Sequence, residues 1–313
     1  MSESAASGPA LRRHPRRPFW RRPLSDNQLK WLFVLPTVAL LVVFVARPLV
    51  WSLYLSFHSY SAMQGKPPEP VGLGNYRELL CDPYVWSHFT TTAEFVVAAV
   101  SLQFVIGFGL ALLLQRDFYG RSLVSTLMLA PMMLCPVVVG LFWKFMFDPN
   151  WGVLNYLLDL VGVKPMAWLA HGGTALAALV LVDTWMWSPF IMLISLAGLS
   201  AVPKSLYEAA EVDRASGWFK FRHVTLPLVW PLLIIALLFR TMDAFKLFDL
   251  VFSLTGGQPG TATATVSLLL YRDAFEHFWT GRSCALAYIL LVIIIGMSNI
   301  YVRRLARAVG AGR

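Results

Sequence analysis

Four ionisable residues, Arg240, Asp243, Lys246 and Asp249, recur at every third position inside an otherwise apolar stretch. On a helix, neighbours three apart share a face, so the four would form a slowly winding polar stripe. Charges in such a setting are costly to bury, so they face a cavity or one another. Two chemistries fit. The stripe could offer hydrogen bonds to a polyhydroxyl solute, or it could pair internally, Arg240 with Asp243 and Lys246 with Asp249. Glu94, Lys144 and Asp183 lie in or near other apolar stretches and could supply partners. Trp187 and Phe190, with Trp185 beside them, offer ring faces on which the apolar face of a sugar packs; the same residue types also serve as interfacial or packing groups.

Other constellations are poor in chemistry. The six histidines (His14, His58, His88, His171, His223, His277) are scattered singly, which argues against a membrane-embedded enzyme. Cys81, Cys135 and Cys284 form neither a CxxC pair nor an even framework, so they read as isolated packing residues. No Gly-rich loop ends in GK[ST]; Thr255–Gly260 is Gly-rich but lacks that ending and reads as a flexible docking surface or a plain turn. No catalytic residue, cofactor site or metal site is expected in this chain.

A second group of residues points to mechanical coupling. Pro203 suits a helix's first turn and Gly217 suits a terminator, which predicts a helix over Lys204–Ser216. It carries Glu208, Glu211 and Asp213 among Ala209, Ala210 and Ala215. A second short helix, Trp218–Val224, leads into Leu226–Pro227. Small alanines permit close approach of another helix, and the flanking acids permit polar docking. The plainer reading is a solvated connector stabilised by pairs such as Lys204–Glu208 and Glu211–Arg214.

The elements that must hold these groups are membrane helices. The 313 residues are 57% hydrophobic and only 14% charged, too few charges to cover a soluble domain of this length. About 20 apolar residues cross the hydrocarbon as a helix. Six windows qualify: Trp31–Phe57, Thr92–Leu114, Leu123–Phe147, Thr174–Ala197, Leu226–Ser253 and Ser283–Val302. Pro36, Pro48, Pro131, Pro136 and Pro189 are expected to kink several of them. The fold class is all-α, a polytopic membrane helical bundle of about six transmembrane helices.

The net charge of +9 does not imply nucleic acid, because the basic residues cluster at the ends of spans. With the N-terminus inside, the inner segments hold Arg12, Arg13, Arg16, Arg17, Arg21, Arg22, Lys30, Arg116, Arg121, Lys204, Arg214, Lys220, Arg222, Arg303, Arg304, Arg307 and Arg313. The outer ones hold only Lys66, Arg77, Lys164, Arg272 and Arg282. This bias predicts both termini in the cytoplasm. Residues 1–29 read as a flexible basic tail near anionic lipid headgroups, 30–305 as the transmembrane domain with a cytoplasmic loop at 200–224, and 306–313 as a C-terminal tail. Outside, Gly72–Tyr76 introduces a short amphipathic stretch, Tyr76–Leu80. A self-sufficient secondary carrier using the 240–249 charges for proton relay is the rival; the small span count and the lack of an inverted repeat weigh against it.

Glu208-Ala209-Ala210, followed by Val224-Thr225-Leu226-Pro227, resembles the EAA loop of ABC importer permeases, E-A-A-x3-G-x9-I-x-L-P. Gly72-Leu-Gly-Asn-Tyr76, Trp187-Ser-Pro-Phe190, Ala197-Gly-Leu199, Phe239-Arg-Thr-Met-Asp-Ala-Phe245 and Leu254-Thr-Gly-Gly257 are similar to the carbohydrate-uptake branch, the maltose-, glycerol-3-phosphate- and trehalose-type permeases. The likeness covers roughly residues 30–305. It implies a multi-pass subunit of a bacterial cytoplasmic (inner) membrane importer for a sugar, polyol or related solute. Its partners would be a second homologous permease, a cytoplasmic ATPase dimer that holds ATP and Mg, an extracytoplasmic solute-binding protein and membrane lipid. Glu208, Ala209, Ala210, Asp213, Arg214, Gly217, Leu226 and Pro227 would form the coupling element. Arg240, Asp243, Lys246, Asp249, Trp187 and Phe190 would line the path. One departure stands out: the family glycine falls on Arg214. A large L-residue resists positive φ, so the turn is expected to move toward Gly217.

Overall fold

The computed structural model describes residues 25–310; of the two expected tails, 1–24 and 311–313 lie outside the described residues, whereas 26–29 and 306–310 are helical and belong to the first and last helices. The chain divides into two units, residues 1–52 and 53–313. Ser25 opens the first helical run with a reciprocal capping box: its Oγ accepts from the Gln28 amide, and the Gln28 side chain accepts from the Ser25 amide at 3.1 Å. That cap starts the helix before the first apolar residue. α1 (Asp26–Leu41), a π-helical turn at Val42–Ala46 and α2 (Arg47–Ser56) form one 31-residue run with a mean hydropathy of 2.3. It continues through Pro36 and Pro48.

A two-residue antiparallel pair, β1 (His58–Ser59) with β2 (Glu69–Pro70), leads to α3 (Gly74–Cys81), which covers the expected amphipathic stretch. α4 (Pro83–Leu114) starts well before the predicted Thr92, because Asp82 caps it and Pro83 takes the first turn. The predicted third span is broken. α5 (Arg121–Leu129) and a 3₁₀ turn at Ala130–Met133 meet α6 (Pro136–Met146) at a 97° bend, since Pro131 and Pro136 remove backbone donors on either side of the bend. α7 (Val153–Leu160) then precedes α8 (Gly172–Ser200), which runs unbroken through Pro189.

α9 (Lys204–Val212) and α10 (Gly217–Lys220) follow, and a π-helical turn at Phe221–Thr225 joins α10 to α11 (Leu226–Phe245). The predicted fifth span is interrupted too: α11 stops at Phe245 and α12 (Asp249–Leu254) begins after a three-residue break. α13 (Val266–Tyr271) and a π-helical turn at Arg272–Glu276 precede α14 (Thr280–Gly310). Among the described residues, five helical runs are long and apolar enough to cross a membrane, six with the bent pair.

The core is built on α4 and α8, which share the most extensive contact among the described residues. They run parallel, and glycine sets their spacing: a Cβ on Gly107 would sit 2.6 Å from the Ser188 carbonyl oxygen and 2.7 Å from the Ile191 Cβ. Small residues at such a crossing let backbones approach where lipid supplies no hydrophobic drive. Another close approach joins the two breaks, for a Cβ on Gly140 of α6 would overlap the Ser253 hydroxyl of α12. At the end of the bundle where α14 begins, Arg282 donates to Glu78 (3.1 Å), to Asp82 (3.4 Å) and to Asp273. It thereby ties α14, α3, the cap of α4 and the turn after α13 together. Gly256–Gly260 is pinned rather than free: Arg272 Nη2 donates to the Gly256 carbonyl at 2.7 Å, and Thr263 Oγ1 donates to Thr255 Oγ1 and to the Gln258 carbonyl, both at 2.8 Å.

Candidate functional site

Trp187 and Phe190 project from α8 and Arg240, Asp243 and Lys246 from α11 and its C-cap, and together they border one cavity of about 650 Å³. Ile194, Phe239 and Met242 complete its wall. The Trp187 and Phe190 rings stand edge to face with centroids 6.4 Å apart, and the Arg240 guanidinium lies 5.3 Å from the Trp187 ring. A mostly apolar pocket with a few convergent polar groups is the general form of a small-molecule site. Five of the six residues expected to line a path are thus brought together. Asp249 is not among them. The break after Phe245 puts it on α12, beside a smaller neighbouring cavity of about 120 Å³ that it shares with Asp183, Asp243 and Lys246.

The expected pairing within the stripe is half right. Arg240 Nη1 donates to Asp243 at 3.1 Å, whereas Lys246 and Asp249 form no ion pair; the helix they would share ends between them. The stronger partners of Arg240 come from other helices. Its Nη2 donates to Asp183 on α8, and its Nε donates to Gln103 on α4 at 2.7 Å. Gln103 Nε2 in turn donates to Asp183 at 2.7 Å. The Arg240 and Asp183 side chains are 1% and 0% exposed, so three helices are bolted together behind the pocket. Of the partners suggested by sequence, Asp183 reaches the stripe and Lys144 and Glu94 form no ion pair with it. Gln103 carries no formal charge and gave no signal in an apolar helix.

The second site is the connection from α8 to α11. Here α9 ends at Val212 rather than at Ser216, and Arg214 itself adopts the left-handed conformation, φ +54°. The Ala215 amide donates to the Ala210 carbonyl at 2.8 Å and the Arg214 amide to the Glu211 carbonyl at 2.9 Å, the paired bonds of a Schellman turn. The turn therefore stays at the family's glycine position and does not move to Gly217. Gly217 instead opens α10, where the Ser216 hydroxyl accepts from the Phe219 amide at 3.2 Å.

Neither local pair expected here forms; Lys220 Nζ meets Glu211 at 2.9 Å and closes α9 on α10. Tyr207 shares a hydrogen bond with Thr225, Oη to Oγ1 at 2.9 Å, and Phe221 packs on Phe108 of α4. With the inner side of the loop fixed to α4 and α11, Glu208, Ala209, Asp213, Arg214, Gly217 and Pro227 are exposed, and Ala210 and Leu226 are half-buried. The exposed surface mixes the acids Glu208, Glu211 and Asp213 with Lys204, Arg214 and Arg222, beside the small Ala209 and the apolar Val212 and Trp218.

Similarity to known proteins follows this anatomy. The chain is 37% identical to a probable ABC transporter permease protein, y4oQ of Sinorhizobium fredii, over 94% of either chain. It is 34% identical to the trehalose/maltose transport system permease protein MalF of Thermococcus litoralis, over 89% of this chain and 94% of that one. The fold matches a chain from a bacterial ABC transporter involved in import of the acidic polysaccharide alginate, with a TM-score of 0.78 at 21% identity, over 89% of this chain and 95% of the other. The family model for the inner membrane component of binding-protein-dependent transport systems matches residues 103–310. That match begins at Gln103 and takes in Asp183, the Lys204–Thr225 loop and Arg240, so the chain belongs to this family of ABC importer permeases.

Proposed function

We propose that this permease forms one wall of the path by which a sugar, polyol or related solute is imported, and that Lys204–Thr225 carries the driving motion into it. One observation carries the reading: α11 bears the loop at its start, through Tyr207–Thr225, and the pocket residues Arg240 and Asp243 near its end. A displacement of the loop is thereby a displacement of the pocket wall. The trehalose/maltose relative supports the carbohydrate class.

In this reading ATP and Mg belong to separate ATPase subunits, and the exposed Glu208–Ala209–Ala210 surface docks into them. The chain itself performs no chemistry. A second permease of similar fold faces it, and a solute-binding protein delivers solute at the opposite mouth. The Arg and Lys bias puts both termini and the loop in the cytoplasm. Nucleotide-driven closure of the ATPases then rocks the bundle between outward-open and inward-open states.

The test is uptake into vesicles holding the assembled importer. Solute accumulation should require active ATPase subunits and should be abolished by Glu208→Lys with membrane insertion intact. Tyr207→Phe removes a hydrogen bond worth about 1 kcal/mol and should lower solute moved per ATP hydrolysed. Accumulation driven by a proton gradient with the ATPases inactivated would reject the reading.

A further inference from the structure

The relatives leave open whether the solute carries charge, since one fold neighbour is involved in importing an acidic polysaccharide and one relative is named for trehalose and maltose. Resting on the path reading above, we infer that the wall supplied by this chain selects an uncharged sugar and disfavours uronate, sulfonate or phosphate sugars.

Arginine is the side chain best shaped to hold such anions, through two parallel N–H donors. Arg240 cannot serve in that way. All three of its nitrogens already donate, Nε to Gln103, Nη1 to Asp243 and Nη2 to Asp183, and its side chain is 1% exposed. Asp183 and Gln103 hold it against the protein rather than toward the cavity. What it offers a ligand is a fixed dipole behind the Trp187 ring.

The groups that do face the space are different. Asp243 is half exposed, at 53%. Its Oδ2 takes the Arg240 bond, which leaves Oδ1 with no protein donor among the described residues. Lys246 and Asp249 are exposed at the break beside it. Around the two adjoining cavities, Asp183, Asp243 and Asp249 outnumber Arg240 and Lys246. Carboxylates accept hydrogen bonds from sugar hydroxyls and repel an anion, and in a site partly walled by apolar side chains that repulsion is weakly screened. Trp187 and Phe190 supply the faces for the apolar side of the ring. Lys246 is the one cation left to engage an anion, and it sits three residues from a carboxylate on either side.

The experiment measures binding to the purified importer, assembled with its partner permease and ATPases but without the solute-binding protein. The probes are trehalose, maltose and a matched disaccharide ending in glucuronate. The neutral sugars should bind at least about tenfold more tightly, a difference of about 1.4 kcal/mol. Asp243→Asn with Asp249→Asn should narrow it several-fold by strengthening glucuronate binding, while Trp187→Ala should weaken all three probes. Equal or tighter glucuronate binding that Trp187→Ala still weakens would overturn the charge inference and leave the site standing. Absence of binding by any probe, or binding indifferent to Trp187→Ala, would overturn the site assignment and this inference together.

Discussion

The guanidinium of Arg240 and the carboxylate of Asp183 meet where neither side chain is open to solvent, and Gln103 bridges both. Arg240, Asp183 and Gln103 sit on α11, α8 and α4, so a single cluster sets the relative position of the three helices that carry the pocket and the loop. Desolvating two charges is expensive, so such a pair is weak evidence for stability, yet breaking it leaves a lone charge buried.

Removing one partner should therefore cost far more than removing both. Asp183→Asn is expected to destabilise the assembled importer by about 3 kcal/mol, and Asp183→Leu with Arg240→Met should recover most of that. Uptake should stay low in the double variant, because Asp243 loses the group that orients it. Thermal unfolding of the purified complex reads the first effect and vesicle uptake the second. An Asp183→Asn protein as stable as the parent would refute the bolt.

The α4–α8 crossing makes a sharper packing prediction. Gly107→Ala puts a methyl 2.6 Å from the Ser188 carbonyl oxygen and should cost about 1–3 kcal/mol as the helices part. Gly109→Ala, two residues along the same helix with nothing within 4 Å of its Cβ, should be neutral or slightly stabilising through helix propensity. Equal melting points for the two variants would show that the crossing tolerates more space than its geometry allows.

Arg214 is held at φ +54°, a conformation that costs an L-residue about 1–2 kcal/mol. Arg214→Gly relieves the strain but frees the unfolded chain, for a net gain of about 0.5–1 kcal/mol. Hydrogen exchange in Ala210–Ser216 should slow and coupled uptake should persist. Arg214→Val, β-branched at the same φ, should speed exchange and loosen coupling. Faster exchange in the glycine variant would contradict a strained turn.

Much of this molecule is legible in its residues. Apolar runs of spanning length mark the helices, because lipid demands that each backbone satisfy itself locally. Glu208-Ala209-Ala210 and Leu226-Pro227 mark the loop through the resemblance of their types and spacing to the EAA loop of ABC importer permeases. Arg240, Asp243, Lys246 and Trp187 announce themselves as polar or amphipathic groups in an apolar setting. The bend after Met133 is announced in part by Pro131 and Pro136; the break after Phe245 is not, for α12 is placed where it meets α6 through Ser253 and Gly140, residues more than a hundred positions apart. The turn at Arg214 follows the same logic: Lys220–Glu211 and Tyr207–Thr225 fix both arms, and the residue between them adopts the φ they require. Hydropathy cannot tell a helix face that meets lipid from one that meets another helix, since both are apolar. Which neighbour Arg240 chooses, Asp183 and Gln103 over the next residue on its own stripe, is therefore decided only when the helices pack.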